Sequence, residues 1–205
     1  MPRQVDGVWL PERVSGHPAL ELNNTVGGWG LAEPREYLVD YAAFVTLARD
    51  VELLSAAESA ALLPASTPAA RAVLRNVKRL RYAVHAVLVD GFGRADRAAR
   101  LERPKPEEEL RRFVAAAVRA SRYVPDEHAA LRLDGGTGLR APLHRFALTL
   151  NALLEQHPRS DIRACGDEEC GWLFLDPSGR RRWCEMSVCG NRAKVRRYAQ
   201  RHRAH

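Results

Sequence analysis

Four cysteines, Cys165, Cys170, Cys184 and Cys189, lie within 25 residues in the spacing C-x4-C-x13-C-x4-C. Two close pairs separated by a returning segment are the donor set of a tetrahedral all-cysteine zinc site. Each pair closes a small loop that aims two sulfurs at one point. Four protein thiolates complete the shell, so the metal is expected to be one structural zinc and not a catalytic one. Two disulfides or four unrelated thiols are the alternatives, and a reducing cytosol disfavours both.

A second feature of chemical interest surrounds these ligands. Residues 177–205 hold nine Arg or Lys side chains against one acid, Glu185, a net +8. The whole chain carries only +7, so the other 176 residues sum to −1. Localised charge of this kind is an anion-binding face. Zinc and four thiolates together subtract two charges, which leaves the loaded chain near +5. The first cysteine pair is acidic, with Asp167, Glu168 and Glu169 between its members.

The elements that must position these groups are readable from pattern. Gly171 is followed by a strand over 172–175, a turn at Asp176-Pro177-Ser178-Gly179, and a second strand at Arg180–Trp183. After Cys189 the sequence is helical to about His202. Knuckle, hairpin and helix make a treble-clef-like finger, whose helix N-terminus favours thiolate. On the helix, Val195, Tyr198, Ala199 and His202 form a stripe expected to pack inward, flanked by basic ridges. Arg180, Arg181, Arg182, Arg192, Lys194, Arg196, Arg197 and Arg201 are the candidate nucleic-acid contacts. Arg181, Arg182 and Arg192 are also suited to neutralise the thiolates, and for Arg192 that role weighs equally with DNA contact. Trp172, Phe174 and Trp183 suit the finger's small core better than base stacking. Asn191 suits a local hydrogen bond better than adenine, and Gly190 suits close backbone approach to zinc.

Upstream, residues 1–157 read as mainly helical. A short strand is expected around Val5–Leu10, with loops through Gly27-Gly28-Trp29-Gly30. Helices are expected over 35–50 (starting at Pro34), 55–62 (Ser55 and Glu58 as a capping box), 68–89 (Thr67 cap), 107–121 and 142–156. A loop is expected over 90–106 and a strand over 128–133. His157-Pro158 ends the last helix and marks the boundary between residues 1–157 and 158–205.

Residues Trp172–Asp176, Arg181–Cys184, Met186 and Cys189-Gly190-Asn191-Arg192-Ala193-Lys194 strongly resemble the CGNR zinc finger, named for the tetrapeptide here at 189–192. The resemblance covers roughly residues 160–203. In that family the finger follows an N-terminal ABATE domain, described as a stress-induced transcription regulator. Ala19–Thr25 is similar to that domain's opening motif. The resemblance implies a zinc-dependent, DNA-binding transcription regulator.

Other chemistry is not evident. The histidines His17, His85, His128, His144 and His157 are scattered, Gly91-Phe92-Gly93 lacks a preceding strand, and no nucleophile–base motif occurs, so the chain is not expected to be an enzyme. Asn23, Asn24 and Thr25 suit a helix cap or turn best, and they are also the candidate lining of a pocket for a small-molecule effector. No apolar run reaches membrane length and no secretory signal is expected, which places the protein in the cytoplasm. The expected partner is double-stranded DNA, bound by a homodimer on paired half-sites. A protein-interaction module or an RNA-binding protein are the alternatives.

Overall fold

The computed structural model describes residues 2–90, 105–125 and 130–203. The expected loop over 90–106, its Gly91-Phe92-Gly93 and the first residues of the expected strand at 128–133 lie largely outside them. Among the described residues the chain is mainly helical, with seven α-helices and four two-stranded antiparallel ribbons.

Strands β1 (Pro2–Val5) and β2 (Val8–Pro11) form a hairpin where one short strand is expected. Asp6 and Gly7 both take positive φ, the turn that matches strand twist. Helix α1 (Pro18–Asn23) follows, capped by His17 Nδ1, which accepts from the Ala19 amide at 3.3 Å. Strands β3 (Val26–Gly27) and β4 (Arg35–Glu36) then pair. This pairing displaces the expected helix start at Pro34. Helix α2 (Tyr41–Asp50) begins instead at Asp40, whose carboxylate accepts from the Ala43 amide at 2.8 Å.

The next two helices start where their caps require. Helix α3 (Ala56–Leu62) carries the full Ser55–Glu58 capping box, and α4 (Pro68–Asp90) starts at Thr67, whose hydroxyl accepts from Ala70. Helix α5 (Pro106–Ala120) opens on three glutamates. Strands β5 (Tyr123–Pro125) and β6 (Leu131–Leu133) lead to α6 (Ala141–Gln156).

Leu20 and Leu22 of α1, Phe44 of α2, Leu80 of α4 and Phe146 of α6 meet in one core. Burying each such side chain stabilises the fold by about 1.5–3 kcal/mol. Arg81 is buried among them at zero exposure. It makes a two-pronged bond to Glu36, at 2.8 and 2.7 Å, and donates to the Thr25 hydroxyl at 2.9 Å. Burial works against the Glu36 charge, but the Arg81 bonds more than offset it and hold its carboxyl below the ordinary range. The core continues past residue 157, since Ile162 and Leu173 belong to the same cluster. No helix among the described residues is long and apolar enough to cross a membrane.

Candidate metal centre

The last fifth of the chain is built around the cysteines. Strands β7 (Ile162–Ala164) and β8 (Leu173–Leu175) pair antiparallel, and the loop between them is the first cysteine knuckle. The Cys165 amide donates to Trp172 O at 2.8 Å and the Cys170 amide to Asp167 O at 2.9 Å, which fixes that loop. A turn at Asp176–Gly179 reverses the chain, as its composition requires. The segment Arg180–Trp183 is irregular, however, and is not the expected second strand. Its backbone is engaged elsewhere: the Arg181 amide donates to Asp176 Oδ2 at 2.7 Å, and Arg182 O accepts from Gly166 at 2.9 Å. The hairpin of the finger is therefore 162–164 with 173–175. A wide helical turn over Met186–Gly190 carries Cys189 into α7 (Asn191–Arg203).

All four sulfurs are buried and lie within 4.8 Å of one another. Two neighbouring pairs, Cys170–Cys184 and Cys184–Cys189, are 3.6 and 3.5 Å apart. A tetrahedron with metal–sulfur bonds near 2.3 Å has edges of about 3.8 Å, so the donor set fits zinc. The Cys184 amide donates to Cys165 Sγ at 3.4 Å, which favours thiolate. Hydrogen bonding within the cluster pushes Cys165 down and pushes Cys170 and Cys184 up. A divalent cation removes that competition by stabilising all four as thiolates. Residues 162–202 match the CGNR zinc finger family.

The C-terminal module is a CGNR zinc finger. No curated protein matches the chain. The four cysteines form one structural zinc site within it.

The basic residues of the CGNR finger divide into two groups. Arg192 and Arg196 face inward. The Asp167 carboxylate is fully buried, with Arg192 Nε 3.2 Å away and Arg196 as its other ion-pair partner. Glu169 lies 3.3 Å from Arg192 and 3.2 Å from Arg196. These pairs clamp α7 onto the first knuckle, and they place the arginine of the tetrapeptide against the zinc loop. Arg181 is also internal. It donates to Val14 O at 2.7 Å and to Trp183 O at 3.1 Å, and it lies 4.3 Å from the Phe174 ring centre. Arg182 is exposed and lies over Trp183, and Arg180 is exposed. Lys194, Arg197 and Arg201 are exposed on α7.

The stripe Val195, Tyr198, Ala199 and His202 does not pack inward. Val195 is 67% and Tyr198 66% exposed, and the Tyr198 and His202 rings contact each other at 4.2 Å. The side of α7 that docks is Arg192, Ala193 and Arg196, because the buried Asp167 needs cations more than the knuckle needs apolar cover. Asn191 bonds locally to Ser187 O at 2.9 Å. Gly190 admits close packing by Met186, whose sulfur fills the space where a Cβ would stand. Trp172 and Phe174 are buried and Trp183 half-buried in the finger's core.

Asn23, Asn24 and Thr25 are fully buried and join the finger to the helical region. The Asn24 side chain donates to Leu173 O and accepts from Leu173 N, both at 2.9 Å. It acts as one residue of a third strand on the outer edge of β8, where the Leu175 amide also donates to Ser15 O at 2.8 Å. Asn23 Nδ2 donates to Asn24 Oδ1, and Thr25 holds Arg81. Asn24 and Thr25 have their side-chain polar groups engaged in this joint, whereas the Asn23 side-chain oxygen is buried with no hydrogen-bond partner. The joint extends along the knuckle. Trp29 N donates to Cys170 O and Gly30 N to Glu169 O, both at 3.2 Å, and Trp172 Nε1 donates to Val26 O at 2.7 Å. Trp29 stacks on His85 of α4 at 3.8 Å, and the same His85 contacts Gly171 O at 3.2 Å. The Gly-Gly-Trp-Gly run is thus a zinc-loop contact, a role its loop-like composition hides.

Proposed function

We propose that the protein is a cytoplasmic transcription regulator that binds double-stranded DNA through the outer face of α7, with zinc as a structural element. The observation that carries this reading is the composition of that face. Lys194, Arg197 and Arg201 are exposed, no acid occurs in residues 191–203, and Val195, Tyr198 and His202 form an exposed strip beside the cations. A helix fits the major groove, where cations hold phosphates while flatter or apolar groups meet base edges and thymine methyls. Arg180 and Arg182 add exposed cations. Arg192, Arg196 and Arg181 support the reading indirectly, by holding the helix and the Cys184 turn in place. One finger offers few base contacts, so binding as a homodimer on paired half-sites belongs to the same proposal. The closed sulfur shell leaves no coordination position for a substrate, which supports a non-enzymatic role.

The test is a salt-titrated shift assay with sequences selected from a random duplex pool. Arg197→Ala with Arg201→Ala lowers affinity on all sequences and flattens the salt slope by about 1.8, two phosphate contacts' worth. Tyr198→Ala alters sequence preference more than the salt slope. Unchanged affinity in the double variant refutes the helix assignment, and preferential competition by single strands favours an RNA partner instead.

A further inference from the structure

Asn24 and Thr25 are bonded within the joint, and a separate cleft lies towards the other end of α4. It has a volume of about 460 Å³ and lies between the first turns of α4, the C-terminal end of α5 and the turn that precedes α6. Ala72, Val73 and Leu139 give it an apolar wall. Asn76, Thr137, Arg140 and His144 give it a polar side. Its volume and mixed lining fall in the range of small-ligand sites, and it is half open to solvent, with Thr137 and Arg140 exposed.

The polar side has a defined chemistry. His144 Nδ1 lies 3.0 Å from Gly135 O, so that nitrogen carries the proton and donates, leaving Nε2 as an acceptor. Burial pushes the His144 pKa down, which keeps the ring neutral. Arg140 is close enough for its charge to act on His144 in the same direction. The Thr137 hydroxyl caps no backbone amide. Arg140, His144 and Thr137, which offer one cation, one neutral acceptor and one hydroxyl, all line the cleft.

The wall is pre-formed. Asp134 accepts from the Gly136 amide at 2.7 Å and from the Arg122 amide at 3.0 Å, and Arg145 donates to Asp134 O at 2.8 Å. Tyr41 from the core donates to Leu139 O at 2.7 Å. Gly136 approaches Ala120 O so closely that a Cβ would stand 2.6 Å away. A site held this firmly loses little order on binding.

We infer that this cleft binds a small monocarboxylate with a compact apolar body and a hydroxyl donor, such as a hydroxylated aromatic acid. Its carboxylate pairs with Arg140 and Thr137, its hydroxyl donates to His144, and its body covers Ala72, Val73 and Leu139. A single guanidinium suits one negative charge better than a phosphate's two. The cleft is connected to the finger by one rigid element, because α4 also carries Arg81 to the joint and His85 to the knuckle. From Asn76 to His85 the helix rises about 14 Å.

The test uses the zinc-loaded full chain and reads binding by calorimetry and by chemical-shift changes, without DNA, so it stands apart from the DNA-binding proposal. The probes are 4-hydroxybenzoate, benzoate, 4-hydroxybenzamide and inorganic phosphate. Saturable binding of 4-hydroxybenzoate is expected, weaker binding of benzoate, and at least tenfold weaker binding of the amide and of phosphate. Arg140→Gln, a change at an exposed residue, weakens 4-hydroxybenzoate at least tenfold, and Ala72→Leu blocks it by filling the wall. No saturable binding by either carboxylate overturns the inference. So does phosphate binding as tightly as 4-hydroxybenzoate, or an Arg140→Gln protein with unchanged affinity.

Discussion

Replacing Asn24 with alanine cuts the most compact connection between the first and last parts of the chain. The side chain is fully buried and supplies both partners of Leu173, 149 residues away, at 2.9 Å each. Leu173 is itself fully buried, so its amide and carbonyl have no water to turn to. Each backbone group left unsatisfied in such a place costs about 1–3 kcal/mol, giving about 2–6 kcal/mol for the pair. That is a large share of the roughly 5–15 kcal/mol that holds a domain of this kind together. In a chain of this length the middle of the range lowers the melting temperature by roughly 12 °C. The measurement is urea unfolding of zinc-loaded protein, followed by far-ultraviolet dichroism. Asn24→Ala moves the midpoint with little change in slope. A loss below about 1 kcal/mol would show that Leu173 finds other partners, and that the side chain is not the strand substitute its geometry describes.

Three further outcomes follow from the same contacts. Chelation of the metal lowers hydrogen-exchange protection of the amides at Trp29 and Gly30 as well as those of the finger, because they bond to the knuckle; protection that survives chelation would refute the coupling. Gly30→Ala destabilises the protein by about 1–3 kcal/mol and loosens zinc retention in a competitive-chelator titration, since the new Cβ collides with Glu168 O, a backbone atom that cannot swing aside. Hydrogen bonds from Arg145 hold the Glu58 carboxyl down to about 2. The contribution of this depressed group is complete above pH 4.5 and is lost as pH falls towards 2, so Glu58→Gln flattens the stability profile in that window, an effect that salt weakens because the pair is partly exposed.

What is legible in the sequence is what short-range chemistry decides. The Ser55–Glu58 box, the Thr67 cap and the two cysteine pairs each act over a few residues, and each is found where its spacing places it. The errors share a different cause. A strand at Arg180–Trp183 is the natural expectation after a good turn, yet the partner of β8 is the three-residue β7 before the knuckle. Periodicity assigns the stripe on α7 inward because it treats arginine as a solvent residue. The buried Asp167 reverses that rule, and nothing local to α7 announces that the fold around the cysteines brings Asp167 to Arg196. Asn23–Thr25 reads as a binding site because polar residues beside a leucine pattern are surplus to any local need. For Asn24 the need is met from the far end of the chain, at Leu173.

The seam between residues 24–30 and the zinc knuckle also orders events in time. The first portion of the chain to leave the ribosome cannot finish its structure until the last portion has emerged and captured its ion, since contacts so distant in sequence close late. Newly made molecules therefore pass through a stage in which the Asn24 side chain and the Trp29 and Gly30 amides lack their partners on the finger. The expected consequence is a quality checkpoint on the whole molecule, with zinc depletion leaving nascent chains open to proteases, which pulse–chase decay of the protein with and without chelator checks.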